Sequence, residues 1–254
     1  MLLTIDLGNT NITLGVFDGA ELLLTSRIAT GRHKTEDQYA IELADILRLY
    51  GVHTGITDGI FASVVPSLDR VMRGAVEKAT GIRPLQVLPG MKTGVNIRID
   101  NPASLGADLL VGAVAAAAAY GAPVIIWDLG TATTVSVIDR DGLLRGGAIL
   151  SGVRTSLQAL IEGASLLPHI ELEQPARVIG TDTAECMRIG AMCGAAAMLD
   201  GMSVRIADEL GYPATTIATG GLAREIVPLC REKIIYDDHL LLRGLKILWE
   251  KNGR

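Results

Sequence analysis

Residues 2–7 (LLTIDL) and 12–17 (ITLGVF) are short, mostly apolar runs separated by Gly-Asn-Thr-Asn. Runs of that length bounded by turn residues predict buried strands. Asp18-Gly19 predicts a hairpin turn, and residues 21–30 (ELLLTSRIAT) a third strand. At Thr35 the period changes. In TEDQYAIELADILRLYG, Ile41, Ala44, Leu47 and Leu49 fall near helical spacing. Thr35 stands where an N-cap belongs, with acids in the first turn, and Gly51 is a stop. GIFASVV (59–65) then reads as a buried strand closed by Pro66.

The same succession comes round again. PVIIWDLG, TTVSVID, the Asp141-Gly142 turn and LLRGGAIL predict three more strands. Helices follow over 153–163 and 183–210, and TTIATGG (215–221) matches GIFASVV. Asp6 and Asp128 are 128 − 6 = 122 apart, while Gly19 and Gly142 are 142 − 19 = 123 apart, so one residue is inserted in the second hairpin. A repeat of about 120 residues is too long for a solenoid. It predicts an α/β protein of two duplicated domains facing a central cleft. The helical stretch 107–121 runs straight into the second copy, which places the domains at 1–120 and 121–254. The apolar stretch 109–127 is broken by Gly121 and Pro123, and reads as a buried helix then a buried strand rather than a membrane span. LLLRGLKILWE predicts an amphipathic helix packed back on the body.

Composition narrows the function. The 254 residues carry a net charge of −5 and only 4% aromatics, which argues against a nucleic-acid or anionic-membrane partner. The start of the chain lacks the basic, then apolar, pattern of a signal peptide. Cys186, Cys193 and Cys230 form no Cys-x-x-Cys pair, which suggests reduced thiols in a cytoplasmic protein. Cys186 and Cys193 read as small buried side chains on a helix. The four His residues are scattered, without metal-ligand spacing.

The repeated phrase DLGNTN / DLGTATT carries the chemistry. Gly lets the backbone approach a ligand, and successive N–H groups of a tight turn can point at one phosphate. The carboxylate would be repelled by phosphate, so its use is to hold a cation, or a cation's water, beside it. No Walker loop (G-x-x-x-x-G-K-[ST]) and no Gly-x-Gly-x-x-Gly turn after a strand is present.

These residues resemble a family. The order DLGNTNITLGVF, DNPASLGADLL, WDLGTATT, GGAIL, TDTAECM, ATGG is similar to type III pantothenate kinase, within the actin/hexokinase-type ATPases built from two ribonuclease H-like domains. The resemblance implies ATP-dependent phosphorylation of pantothenate, the first step towards coenzyme A, with Mg²⁺ and a monovalent cation, K⁺ or NH₄⁺. It implies an ATP site at Asp6, Leu7, Gly8, Asn9, Thr10, Asn11, Ile12 and Thr13, with Thr131, Gly220 and Gly221. It makes Asp128 the ligand of the monovalent cation and Asp108 the catalytic base. Gly106, Ala107, Asp108, Leu109 and Thr183 become the pantothenate contacts, in a cytoplasmic homodimer. Without the resemblance, Asp108 reads first as a helix-start carboxylate that caps the turn or favours the dipole, and only second as a base; the resemblance reverses that order.

The acceptor half departs from the family pattern. Ile99 stands for a Tyr, Leu109 for an Arg, Ser151 for a Pro and Ile189 for a Ser. An Arg at 109 would pair with the pantothenate carboxylate, a contact of about 1.5–3 kcal/mol. Three readings stay open: a pantothenate kinase that holds the carboxylate through another group such as Arg98 or Arg154, a kinase of another small hydroxyl acceptor, or a nucleotide-binding regulatory relative.

Overall fold

A computed structural model describes residues 1–253. The chain begins with an antiparallel meander of β1 (Leu2–Leu7), β2 (Asn11–Asp18) and β3 (Glu21–Ala29). Then come α1 (Glu36–Leu49), β4 (Asp58–Ser63), α2 (Asp69–Thr80) and β5 (Leu85–Gln86). A two-residue strand, β6 (Asn96–Ile97), precedes α3 (Ala107–Tyr120). The second meander is β7 (Val124–Leu129), β8 (Ala132–Ile138) and β9 (Leu143–Ser151). It is followed by α4 (Val153–Gly163), α5 (Thr183–Leu210), β10 (Thr215–Thr219), α6 (Ala223–Ile226), β11 (Ile234–Tyr236) and α7 (Leu240–Asn252).

The predicted repeat is visible in the sheet orders. The first sheet runs β3-β2-β1-β4-β5. The second runs β11-β10-β7-β8-β9-β6, which is the same order read from the other edge with β6 added. Even the irregularities repeat: each meander has a register shift in its second hairpin, at Val16/Phe17 and at Val137/Ile138. The hairpin glycines Gly19 and Gly142 take positive φ, as their turns require.

Two compact units emerge, and neither is one continuous segment. The first contains residues 1–94, 100–115 and the described residues from 240 on; the second contains 95–99 and 116–239. The second unit takes β6, which pairs parallel to β9. The first takes α7, which packs on β1 and β4. Within the first unit the core is Leu3, Ile5, Leu7, Ile12, Leu14, Tyr39, Leu43 and Phe61 with their neighbours. Within the second it centres on Trp127, Met192, Leu199 and Ile226.

Side-chain caps mark the starts of α1 and α5. Thr35 caps α1 in a reciprocal capping box: its hydroxyl accepts from the Gln38 N–H, and its own N–H donates to Gln38 Oε1 at 2.8 Å. Helix α3 meets α7 through glycines, with Gly112 against Leu241 and Gly244 against Val111. The close contact therefore lies upstream of the Ala run at 115–119, whose Ala118 and Ala119 are exposed.

The cysteine expectation needs correcting. Cys186 is exposed and Cys193 only half-buried. On α5 the buried stripe is Met187, Met192, Ala195, Ala196, Leu199 and Ser203, and both cysteines fall beside it. By length and composition alone α5 is apolar enough to cross a membrane, the one such helix among the described residues.

A buried carboxylate organises the second hairpin. Asp139 accepts from the N–H groups of Asp141 and Leu143, at 3.0 and 2.9 Å, and from Arg145 at 3.1 Å. Burial pushes its carboxyl up, but the bonds from Leu143, Arg145 and Asp141 outweigh that and leave it below its ordinary value. The group therefore contributes stability above its unfolded-state pKa, and loses it as pH falls through the lower folded-state pKa. Asp139→Ala is expected to cost about 1–3 kcal/mol near neutral pH by stranding the two amides. Denaturant melts should show the gap from wild type narrowing on acidification.

Candidate active site

In the first unit the turn between β1 and β2 is closed by the Gly8 N–H on the Asn11 carbonyl, 3.0 Å. Asp6 lies across from Thr13 in the β1–β2 ladder and from Ala62 in the β1–β4 ladder. The sheet thus places it at the carboxyl end of β1, at the lip of the turn. Asn9, Thr10 and Asn11 are exposed, whereas Leu7 and Ile12 are fully buried. Of the eight residues of this turn expected at the ATP site, those two can offer a ligand only backbone.

Asp108 sits in the first turn of α3, after Gly106, whose carbonyl accepts from the Leu110 N–H at 3.1 Å. Its Oδ1 accepts from the Leu109 N–H at 2.8 Å. The carboxylate folds back over Gly106, in space that a Cβ there would occupy. Burial raises the carboxyl above its ordinary value, against the lowering hydrogen bonds from the backbone of Leu109 and Asp108. A partly desolvated carboxylate of raised basicity is the chemistry a general base needs.

In the second unit the matching turn is closed by the Gly130 N–H on the Ala132 carbonyl, 3.1 Å. Asp128 lies across from Thr134 in β8 and from Thr219 in β10. The next residue, Gly220, lies so near that a Cβ would come 2.5 Å from Asp128 Oδ1. Asp128, the exposed Thr131 and Gly220-Gly221 are thus brought to one end of the β7–β10 pair. Thr133 is different: it is fully buried, its hydroxyl has no partner among the described residues, and it packs as an apolar side chain would.

Two further residues hold this turn, and sequence reading passed over both. Thr155, in the first turn of α4, donates its hydroxyl to the Thr131 carbonyl at 2.9 Å. Gly152, just before α4, lies against the Gly130 and Thr131 carbonyls. Their only signal was position: both come within four residues of the end of the third strand of the repeat.

The substrate-side residues stand on several elements. Thr183 is exposed at the first position of α5, whose N-cap Asp182 accepts from the Glu185 N–H at 2.9 Å. Leu109 is half-buried and its N–H is committed to Asp108. Ile99 lies against Gly146. Arg98 and Arg154 are exposed. Arg154 borders a cavity of about 690 Å³ between α4 and residues 169–172, which none of the expected site residues lines.

For cations, no group of three or more His, Cys, Asp or Glu suited to a metal occurs among the described residues. The donor set at the second turn is a single carboxylate with neighbouring backbone and hydroxyl oxygens. Such a set suits a hard cation that completes its shell with phosphate and water, not a tightly caged metal.

Comparison with known proteins bears on the fold and the family. Among solved structures, component A of (R)-2-hydroxyglutaryl-CoA dehydratase from Acidaminococcus fermentans superposes with TM-score 0.56 at 15% identity, over 97% of this chain and 95% of that one. A ROK family glucokinase from Streptomyces griseus, in complex with glucose and AMPPNP, gives 0.56 at 14% identity, over 98% of each. At that identity the likeness speaks for the fold, two ribonuclease H-like domains of the actin-like ATPase kind. Relatives in sequence are nearer. The type III pantothenate kinase of Moorella thermoacetica is 42% identical over 255 residues, covering 99% of this chain and all of that protein. That of Geobacillus sp. is 43% identical over 253 residues, covering 99% and 98%. The type III pantothenate kinase family model matches residues 2–205. The chain belongs to the type III pantothenate kinase family.

Proposed function

We propose that this protein transfers the γ-phosphoryl group of ATP to the hydroxyl of pantothenate. The observation that carries the reading is Asp108, a carboxyl raised by burial at the start of α3, in a chain of this family. Asp108 accepts the hydroxyl proton as the oxygen attacks phosphorus. The backbone of the Asp6–Thr13 turn and the exposed side chains of Asn9, Thr10 and Asn11 bind the phosphates. Thr131 adds a second grip, and Gly220-Gly221 leaves room for adenosine. Asp128 would hold the monovalent cation, and ATP would come with Mg²⁺, held through Asp6; the ions offset phosphate charge. Gly106, Ala107, Leu109 and Thr183 border pantothenate, in a cytoplasmic homodimer.

A second reading concerns the acceptor. Leu109 cannot pair with a carboxylate, which favours a less acidic hydroxyl acceptor. One experiment separates the two: ADP release with ATP, Mg²⁺ and K⁺, with pantothenate or with its uncharged alcohol analogue. Pantothenate-dependent turnover supports the first reading. Turnover on the uncharged acceptor alone moves the assignment to the second. ATP binding without turnover on either sinks both.

A further inference from the structure

The segment after β3 is fastened to the first turn at three points. The Thr30 hydroxyl donates to the Gly8 carbonyl at 2.7 Å, and the Thr30 N–H donates to the Thr10 carbonyl at 2.9 Å. Arg32 Nη2 donates to Asn9 Oδ1 at 2.8 Å. The same segment is held from behind. The Gly31 N–H donates to the hydroxyl of Tyr39, a fully buried residue of α1, at 2.9 Å, and that hydroxyl donates to the Gly31 carbonyl at 3.1 Å. The Lys34 N–H closes on the Gly31 carbonyl at 3.0 Å. A loop that only needed water around it would require none of this.

What the fastenings hold is a guanidinium beside the turn. Among the described residues no carboxylate pairs with Arg32, and its one hydrogen bond goes to a neutral amide. Its charge is permanent, and most of its five donors stay available. The turn itself, DLGNTNIT, contains no Lys or Arg. Phosphoryl transfer asks for positive charge at the moving group. The repeat sharpens the contrast. Arg154 lies 154 − 32 = 122 residues on, the same offset as the two turn aspartates. It borders the cavity with Glu162 and Glu171, and Thr155 fastens the second turn in its place.

We infer that Arg32 is a catalytic residue that contacts the γ-phosphate of ATP and offsets its charge during transfer. The inference rests on the kinase reading above. As the acceptor oxygen bonds to phosphorus, the bond from phosphorus to the β–γ bridging oxygen breaks. The hydroxyl proton passes to Asp108, and ADP leaves with the bond's electrons. Arg32 donates to γ-oxygens throughout and exchanges no proton.

Arg32→Gln and Arg32→Lys test this in the full-length protein. Arg32 is exposed, and an unchanged melting temperature is the folding control. Two quantities are read: kcat/KM for ATP, and the ratio of the ADP dissociation constant to that of the non-hydrolysable triphosphate AMPPNP. The Gln variant is expected to lose about a hundredfold in kcat/KM, with Lys recovering about tenfold of it. The wild-type preference for the triphosphate is expected to fall about tenfold in the Gln variant, with ADP affinity nearly unchanged. Full activity and an unchanged affinity ratio in the Gln variant would overturn the role of Arg32. If the wild type fails on pantothenate, the acceptor assignment falls and the affinity ratio still decides Arg32.

Discussion

Asp108→Asn is expected to lower turnover by about 10²–10⁴-fold while nucleotide affinity stays within a few-fold. Asn keeps the size of the side chain and a carbonyl oxygen for the Leu109 N–H, but it cannot take a proton. Its effect on stability should run the other way. Burial holds the Asp108 carboxyl above its ordinary value of 3.8, so the ionised form is the unfavourable one in the folded chain. A raised carboxyl favours folding fully below its unfolded-state pKa, and that advantage is lost as pH rises through the folded-state pKa. At neutral pH the wild type therefore carries a desolvation cost that Asn removes. Asp108→Asn should melt at or above the wild-type temperature at pH 7, and lose that margin on acidification. In the active enzyme the acid limb of kcat against pH should be displaced upward from that of an unshifted aspartate. A variant that is inactive because it is unfolded would show the opposite melting shift.

Gly152→Ala is expected to have the second largest effect, through space alone. Its φ of −63° suits any residue. The added Cβ, however, would come 2.5 Å from the Gly130 carbonyl oxygen and nearer still to that of Thr131. Backbone oxygens cannot swing aside as a side chain can. Either the turn moves or α4 moves, at about 1–3 kcal/mol for the overpacking. If the turn moves, KM for ATP should rise by at least about tenfold, beyond what the loss in melting temperature explains. Thr155→Val, which removes one hydrogen bond to the same turn, should produce a smaller change in the same direction.

The chain writes its strands locally, and those were legible. Alternating turn residues and apolar runs placed both meanders, β4 and β10, and Thr35 marked the start of α1. Helix α2 was not read. Its apolar residues Val71, Met72, Ala75 and Val76 straddle Gly74, and no side-chain cap announces its start. Strand β6 could not be read, because two residues gain strand character only by pairing with β9, far along the chain. In the candidate site, the aspartates and glycines of the two turns stood out because they recur. Thr30, Arg32, Gly152 and Thr155 did not, because their roles depend on which carbonyl lies within 3 Å. The cysteines of α5 misled for a related reason: heptad spacing says two residues share a face, but not which face the sheet covers.

The broken path of the first unit has a consequence for synthesis. A ribosome releases β1 to β5 early, yet the face of β1 and β4 that Leu240, Leu242, Leu245 and Leu248 help to cover waits for α7. The second unit has all its segments once residue 239 is out. The half begun first is thus finished last, and for most of translation it exposes an apolar sheet face of the kind that chaperones recognise.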